Sequence, residues 1–119
     1  MDLFEYQGKQ FFAQYGMPVS AGEVALTVDE AVDAAERLGT PVMVKAQVHT
    51  GGRGKAGGIK FAATLDDVRT HASDILGLDI RGHVVGRVWI EKASDIADEY
   101  YASFTLDRSA KKHLGMLSA

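Results

Sequence analysis

Lys45-Ala46-Gln47-Val48-His49-Thr50-Gly51-Gly52-Arg53-Gly54-Lys55-Ala56-Gly57-Gly58 decides how this chain is read: five of its thirteen glycines fall within eight residues, with basic side chains between them. Glycine lets the backbone turn through conformations closed to other residues and lets a ligand come close to peptide N–H groups. Successive N–H groups in such a turn make a concavity for an anion, and Arg53 and Lys55 add fixed positive charge. The stretch holds a formal G-x-G-x-x-G at Gly52, Gly54 and Gly57, but that fingerprint needs a helix directly after it to hold a pyrophosphate. Here Gly58-Ile59-Lys60-Phe61-Ala62-Ala63 follows, alternating as a strand does, and the next helix signal waits until Thr64. A Walker A loop also fails, because Lys55 is followed by Ala56 instead of a hydroxyl and no glycine lies five before Gly54. What remains is a Gly-rich flap between two strands, suited to a polyphosphate, with a plain mobile hairpin as its bland rival.

Upstream, Val42, Val44, Ala46 and Val48 alternate in a strand expected over 41–48. That puts Lys45, Gln47 and His49 together on the opposite face, aimed where the loop returns. Further out, helix and strand signals alternate. Asp2 with Glu5 reads as a capping box for a first helix, whose stripe is Phe4, Gly8, Phe11, Phe12 and Tyr15 and which Gly16 and Pro18 stop. A strand is expected over 19–26. Thr27 with Glu30 opens a second helix with Val28, Ala31, Ala35 and Leu38 inward; Thr64 with Asp67 opens a third with Leu65, Val68, Ala72, Ile75 and Leu76 inward. Val84 to Glu91 reads as one hydrophobic strand. Glu99 to Asp107 and Lys112 to Ser118 read as a hairpin turning at Asp107-Arg108-Ser109. The fold class is α/β (α+β).

Composition narrows the function classes. The 119 residues suit one ordinary domain, and 46% hydrophobic with 24% charged residues is globular usage. A net charge of −3 makes the basic cluster a local feature and argues against nucleic-acid or membrane-surface partners. The absence of cysteine excludes a disulfide framework and thiolate metal sites. With no basic, apolar leader at the N-terminus, a cytoplasmic location is expected. The final Leu114-Gly115-Met116-Leu117-Ser118-Ala119 stops within an apolar strand, so a truncated piece of a longer chain, able to self-associate through that edge, is expected.

Leu3-Phe4-Glu5-Tyr6-Gln7-Gly8-Lys9-Gln10-Phe11-Phe12, then Tyr15-Gly16-Met17-Pro18, and above all Val44 to Gly58, resemble the start of the β-subunit of succinate–CoA ligase (succinyl-CoA synthetase). Ile90-Glu91-Lys92-Ala93 and Leu106-Asp107-Arg108-Ser109 are similar to later stations of that family. The resemblance implies an ATP-grasp fold: a helix over 1–19 packing on the second lobe, a nucleotide-binding lobe over 20–93, and the truncated start of the second lobe over 94–119. It implies ATP/ADP binding, with Lys45 on the phosphates, Gly52, Arg53 and Gly54 in the flap, Glu91 and Ser94 near base and ribose, and Glu99 completing the site. Magnesium ligands, an Asn and an Asp, are implied downstream of this chain. So is a partner α-subunit carrying the phosphohistidine, so that none of His49, His71, His83 and His113 is the phosphorylated residue. No catalytic residue is expected among these 119, and the piece alone should be inactive. The bacterial style of the N-terminus leans the base toward adenine.

Bland roles compete with these assignments. Lys45 could snorkel at a sheet edge, and Glu91 could serve as a cross-strand ion-pair partner. His49 reads as a hydrogen-bonding strut; His71 and His113 read as solvated. Asp66-Asp67 sits in a helix's first turn, where acids favour the dipole. Related CoA ligases acting on malate or citrate share the motif, and a non-catalytic nucleic-acid module remains a rival that lacks the aromatics base stacking needs.

Overall fold

The computed structural model describes residues 2–119. Its elements are α1 (Glu5–Gln14), β1 (Gly22–Ala25), α2 (Val28–Leu38), β2 (Val42–Ala46), β3 (Ile59–Ala62), α3 (Leu65–Ile75), β4 (Asp79–Ile80), β5 (His83–Val84), β6 (Val88–Lys92), β7 (Tyr101–Asp107) and β8 (Lys112–Ser118). Four strands form one sheet in the order β1-β6-β2-β3, every neighbouring pair antiparallel. Period-two alternation sorts its faces. Val42, Val44 and Ala46 of β2 join Val88 and Ile90 of β6 in the core, with Ala31, Ala34 and Ala35 of α2 and Val68, Ala72 and Ile75 of α3. On the opposite face stand Lys45, Trp89 and Glu91.

The two core helices begin where their sequences say they should. Thr27 Oγ1 accepts the Glu30 N–H at 3.1 Å, and the Glu30 carboxylate accepts the Leu26 N–H at 2.7 Å. At α3, Thr64 Oγ1 accepts the Asp67 N–H at 3.1 Å while Asp67 accepts the Thr64 N–H at 3.0 Å. Each cap satisfies donors that the first turn leaves without intrahelical partners. At the far end of α2, Lys92 donates to the carbonyls of Gly39 and Thr40, placing a cation against the negative end of the helix.

Three readings need correction. The Asp2–Glu5 capping box does not form: α1 starts at Glu5, Phe4 holds the cap position, and Gln7 Oε1 accepts the Phe4 N–H at 2.9 Å. Glu5 is drawn away by cations elsewhere in the fold, so local cap chemistry loses. The single strand expected over Val84 to Glu91 is broken: Val84 ends a two-residue hairpin with β4, and β6 starts at Val88. Val85 turns into the core between them, its N–H donating to Leu78 O at 2.9 Å. His71 is half-buried instead of solvated, and its Nδ1 is shielded from water without a partner.

The β7–β8 hairpin forms as read, with Asp107 paired to Lys112 and Asp107 Oδ1 accepting the Ala110 N–H at 2.9 Å across the turn. The contacts of α1 run to the four-stranded sheet, where the Tyr6 ring stacks on Trp89 at 5.9 Å between centroids. Phe11, Phe12 and Tyr15, on the helix expected to pack on the second lobe, stay 50%, 51% and 86% exposed. Among the described residues no helix is long and apolar enough to cross a membrane.

Gly22 lies against Trp89 so closely that a Cβ there would stand 2.2 Å from Cζ2 of the indole and 2.8 Å from Ile90 O. Backbone and a buried ring cannot both retreat, so Gly22→Ala should destabilise the fold by roughly 1–3 kcal/mol. Urea denaturation checks this, and an unchanged midpoint would show that the strand shifts freely.

Candidate functional site

The Gly-rich loop leaves β2 and returns as β3, so it joins two antiparallel neighbours, as its flanking alternation implies. It is compact. Gly58 N–H donates to Arg53 O at 2.8 Å, Ala56 N–H to Gly52 O at 3.1 Å and Gly57 N–H to Gly54 O at 3.1 Å. These bonds use the donors on the returning limb. Among the described residues, the backbone N–H groups from Gly51 to Lys55 have no protein acceptor. They border a concavity of about 800 Å³ lined by Gly51 to Lys55, His49, Ile59, Glu5 and Arg81. Free amides beside Arg53 and Lys55 form the kind of nest that takes an anion.

Behind the loop lies a network of charges. Lys45 Nζ donates to Glu5 Oε1 at 2.7 Å and to Glu91 Oε1 at 3.2 Å. Arg53 Nη1 donates to Glu5 Oε2 at 2.6 Å and to the carbonyl of Ala46 at 2.9 Å. Lys9 bridges both carboxylates, to Glu5 at 3.3 Å and to Glu91 through a hydrogen bond. Trp89 Nε1 completes the shell of Glu91 at 2.8 Å. Gln47, 2% exposed, accepts the Tyr6 N–H at 3.2 Å and donates to Ala46 O and, at 3.4 Å, to Glu5. Three cations and two carboxylates thus meet where α1 crosses β2 and β6.

Burial alone would push the Glu5 carboxyl up, but the hydrogen bonds and charges of Lys45 and Arg53 outweigh it and bring the group down to about 2. The balance at Glu91 has the same form: burial raises it, while Lys9, Trp89 and Lys45 together hold it below the ordinary carboxylate range. Burial works against the Lys9 ammonium, yet its bonds to Glu91 and Glu5 leave its pKa raised. All three groups are held charged.

Of the residues singled out in the sequence, Lys45, Arg53 and Glu91 come together in this network, and Gly52, Arg53 and Gly54 line the concavity. Ser94 sits just past β6 with its hydroxyl 3.3 Å from that of Ser20. Glu99 is exposed and borders a different hollow, with Tyr100, Tyr101, Ser118 and Ala119. His49 stacks on the Phe4 ring at 4.0 Å, and Arg87 covers the same ring at 4.9 Å. Glu5, Lys9 and Arg81 went unnoticed as site residues. Glu5 meets its partners across 40 and 48 positions of chain, a separation no local pattern encodes.

A family model described as "ATP-grasp domain" matches residues 2–119. The chain belongs to the ATP-grasp family. Its fold is similar to dinucleotide-forming acetyl-coenzyme A synthetase 1 of Ca. Korarchaeum cryptofilum in complex with coenzyme A, Ca-AMPCP and HgCl+, at 20% identity and a TM-score of 0.85 over 98% of this chain and 53% of that one. PH1788 from Pyrococcus horikoshii matches at 21% identity and 0.84, covering 98% of this chain and 51% of that one. Phosphoribosylamine–glycine ligase of Thermotoga maritima matches at 22% and 0.63, covering 87% and 25%. The ATP-grasp chain described here thus spans about half the length, or less, of these solved chains. The mixed α/β architecture is that of the family.

Because the Glu5 carboxyl titrates lower folded than unfolded (ordinarily about 4.3), the unfolded chain binds more protons between those values and stability rises with pH there. The contribution is complete above about pH 4.3 and lost as pH falls toward 2. Glu5→Gln should cost roughly 1–3 kcal/mol at pH 7. The gap from wild type should shrink in urea titrations run between pH 5 and pH 2. A gap independent of pH would contradict the ion-network account.

Proposed function

We propose that this chain supplies the N-terminal part of the nucleotide site in the β-subunit of succinate–CoA ligase. That enzyme is an ADP-forming acid–thiol ligase of the tricarboxylic acid cycle. In this reading ATP phosphorylates a histidine on the partner α-subunit, the phosphoryl group passes to succinate, and CoA displaces it to give succinyl-CoA. The carrying observation is the row of free amides from Gly51 to Lys55 bordering the concavity, with Arg53 and Lys45 beside and behind it. Phosphoryl transfer depends mainly on positioning and charge neutralisation, which such a loop can supply. The similarity of Val44 to Gly58 to the ligase family supports the specific assignment. A fold neighbour that holds coenzyme A together with Ca-AMPCP supports the coarser reading, a nucleotide-using CoA ligase.

Each residue takes a role under this reading. The amides of Gly52 and Gly54 and the Arg53 guanidinium cover the phosphates. Lys45 reaches them by exchanging Glu5 for a phosphate oxygen, a swap of one anion for another that leaves no cation unpaired. Glu91 and Ser94 lie toward base and ribose, and Glu99 joins from the second lobe when the two lobes close. The apolar stripe of α1 meets that lobe. Magnesium, when bound, would supply charge neutralisation on the phosphates. Its protein ligands, an Asn and an Asp by the resemblance, are assigned downstream of these residues, and no step here passes through it. The location is cytoplasmic and bacterial, the base adenine.

A second reading, a CoA ligase for a different acid, is favoured by the fold match to an acetyl-coenzyme A synthetase. Turnover by the intact enzyme with its α-subunit separates the two: ADP release should require succinate and CoA and exceed that with acetate or malate. Preference for another acid would replace the first reading with the second. Lys45→Ala in the intact enzyme should weaken ATP binding by roughly ten- to a hundredfold, as loss of a charge-assisted phosphate contact does. Unchanged calorimetric affinity with the fold intact would remove Lys45 from the site.

A further inference from the structure

Arg81 occupies a place that turn chemistry does not explain. It is the first central residue of the two-residue turn joining β4 to β5, where Ile80 pairs with His83. Arg81 has φ 55° and Gly82 φ 83°. Positive φ at both central positions is the type I′ pattern, which favours Asn, Asp or Gly at the first of them. Arginine stands there although the left-handed region disfavours its Cβ. Asp79 Oδ1 accepts the Gly82 N–H at 2.6 Å and holds the turn in this form.

The side chain leads to the Gly-rich loop. A Cβ added at Gly52 would lie 3.1 Å from Nη2 of Arg81, 3.3 Å from Cζ and 3.6 Å from Nε. The guanidinium therefore rests across the α-carbon of Gly52, over the mouth of the same concavity. It is exposed, and among the described residues it makes no hydrogen bond or ion pair. Lys45 and Arg53 differ, since both are already held by Glu5. An arriving anion meets an uncommitted guanidinium with five donors before it meets cations that must first release a carboxylate.

We propose that Arg81 is a phosphate-binding residue: from the β4–β5 turn its guanidinium clamps the outer end of a nucleoside polyphosphate against the Gly51–Lys55 amides. The assignment rests on the nucleotide reading above and adds a contact from an element outside the flap. It also gives Gly52 a second reason to be glycine, because any side chain there would push the guanidinium off the loop.

Calorimetric titration of the intact protein with AMP, ADP and ATP tests it, in wild type, Arg81→Gly and Arg81→Lys. Glycine suits the left-handed turn, so Arg81→Gly should keep the thermal melt of wild type. It should bind ADP and ATP about tenfold or more weakly, the loss expected of a charge-assisted contact, and bind AMP unchanged. Arg81→Lys should recover part of the difference. Wild-type affinity for all three ligands in Arg81→Gly overturns the assignment while leaving the nucleotide site standing. An equal loss for AMP, ADP and ATP also overturns it, since a contact to the outer phosphates cannot act on AMP. A wild-type protein that binds no nucleotide overturns both readings together.

Discussion

Everything around the candidate site is arranged about one carboxylate. Glu5 lies within 2.6 to 3.3 Å of Arg53, Lys45 and Lys9, which reach it from the Gly-rich loop, the central strand and its own helix. Remove it and three cations are left crowded together with only Glu91 among them. Like charges held together with too little counter-charge between them repel, and a cost of roughly 1–3 kcal/mol is a large share of a small domain's stability. Glu5 thus does for α1 what apolar burial does for α2 and α3. The first helix buries none of its residues completely, whereas the other two sink alanines, valine and isoleucine into the core. Its place over the sheet depends on charge, and on Tyr6 lying against Trp89.

The same arrangement grades the cations by depth. Lys45 and Arg53, partly buried, are already neutralised; Arg81, at the rim, is not. Exposed charge is screened but costs little to recruit, while buried paired charge acts only after a partner is exchanged. A polyanion entering the hollow would therefore pass from weakly committed to strongly committed positive groups. The Gly-rich loop sits between the two tiers, its amides uncommitted along one limb and bonded along the other.

Much of this was legible in the sequence wherever the signal was local. Thr27 with Glu30, Thr64 with Asp67, and the alternation Val42-Val44-Ala46 are governed by neighbours within four residues, and the structure uses them as read. The strand-to-strand setting of the glycines followed from the alternation on either side. What escaped were contacts whose partners lie far apart in the chain. Glu5 looks like a first-turn acid until Lys45 and Arg53 arrive from 40 and 48 residues away, and then long-range charge overrides the cap. The β4 and β5 strands, two residues each, are too short to show any period, so the turn that presents Arg81 leaves no sequence signal and lies ahead of the strand expected from Val84. Gln47 was placed on the right face, but its burial depends on α1 closing over it.

Trp89 is the one tryptophan in the chain, and it is 4% exposed. Its indole N–H is bonded to Glu91, its ring lies against Tyr6 of α1, and Gly22 of the neighbouring strand abuts it. The chain therefore carries a single indole fluorophore, excitable apart from the tyrosines and wedged between the helix, the sheet and the ion network. Its emission would report on the seating of α1 without a label. An exchange of Glu5 for a phosphate would reach the ring through Lys45, Lys9 and Glu91, making the occupancy of the hollow visible as light.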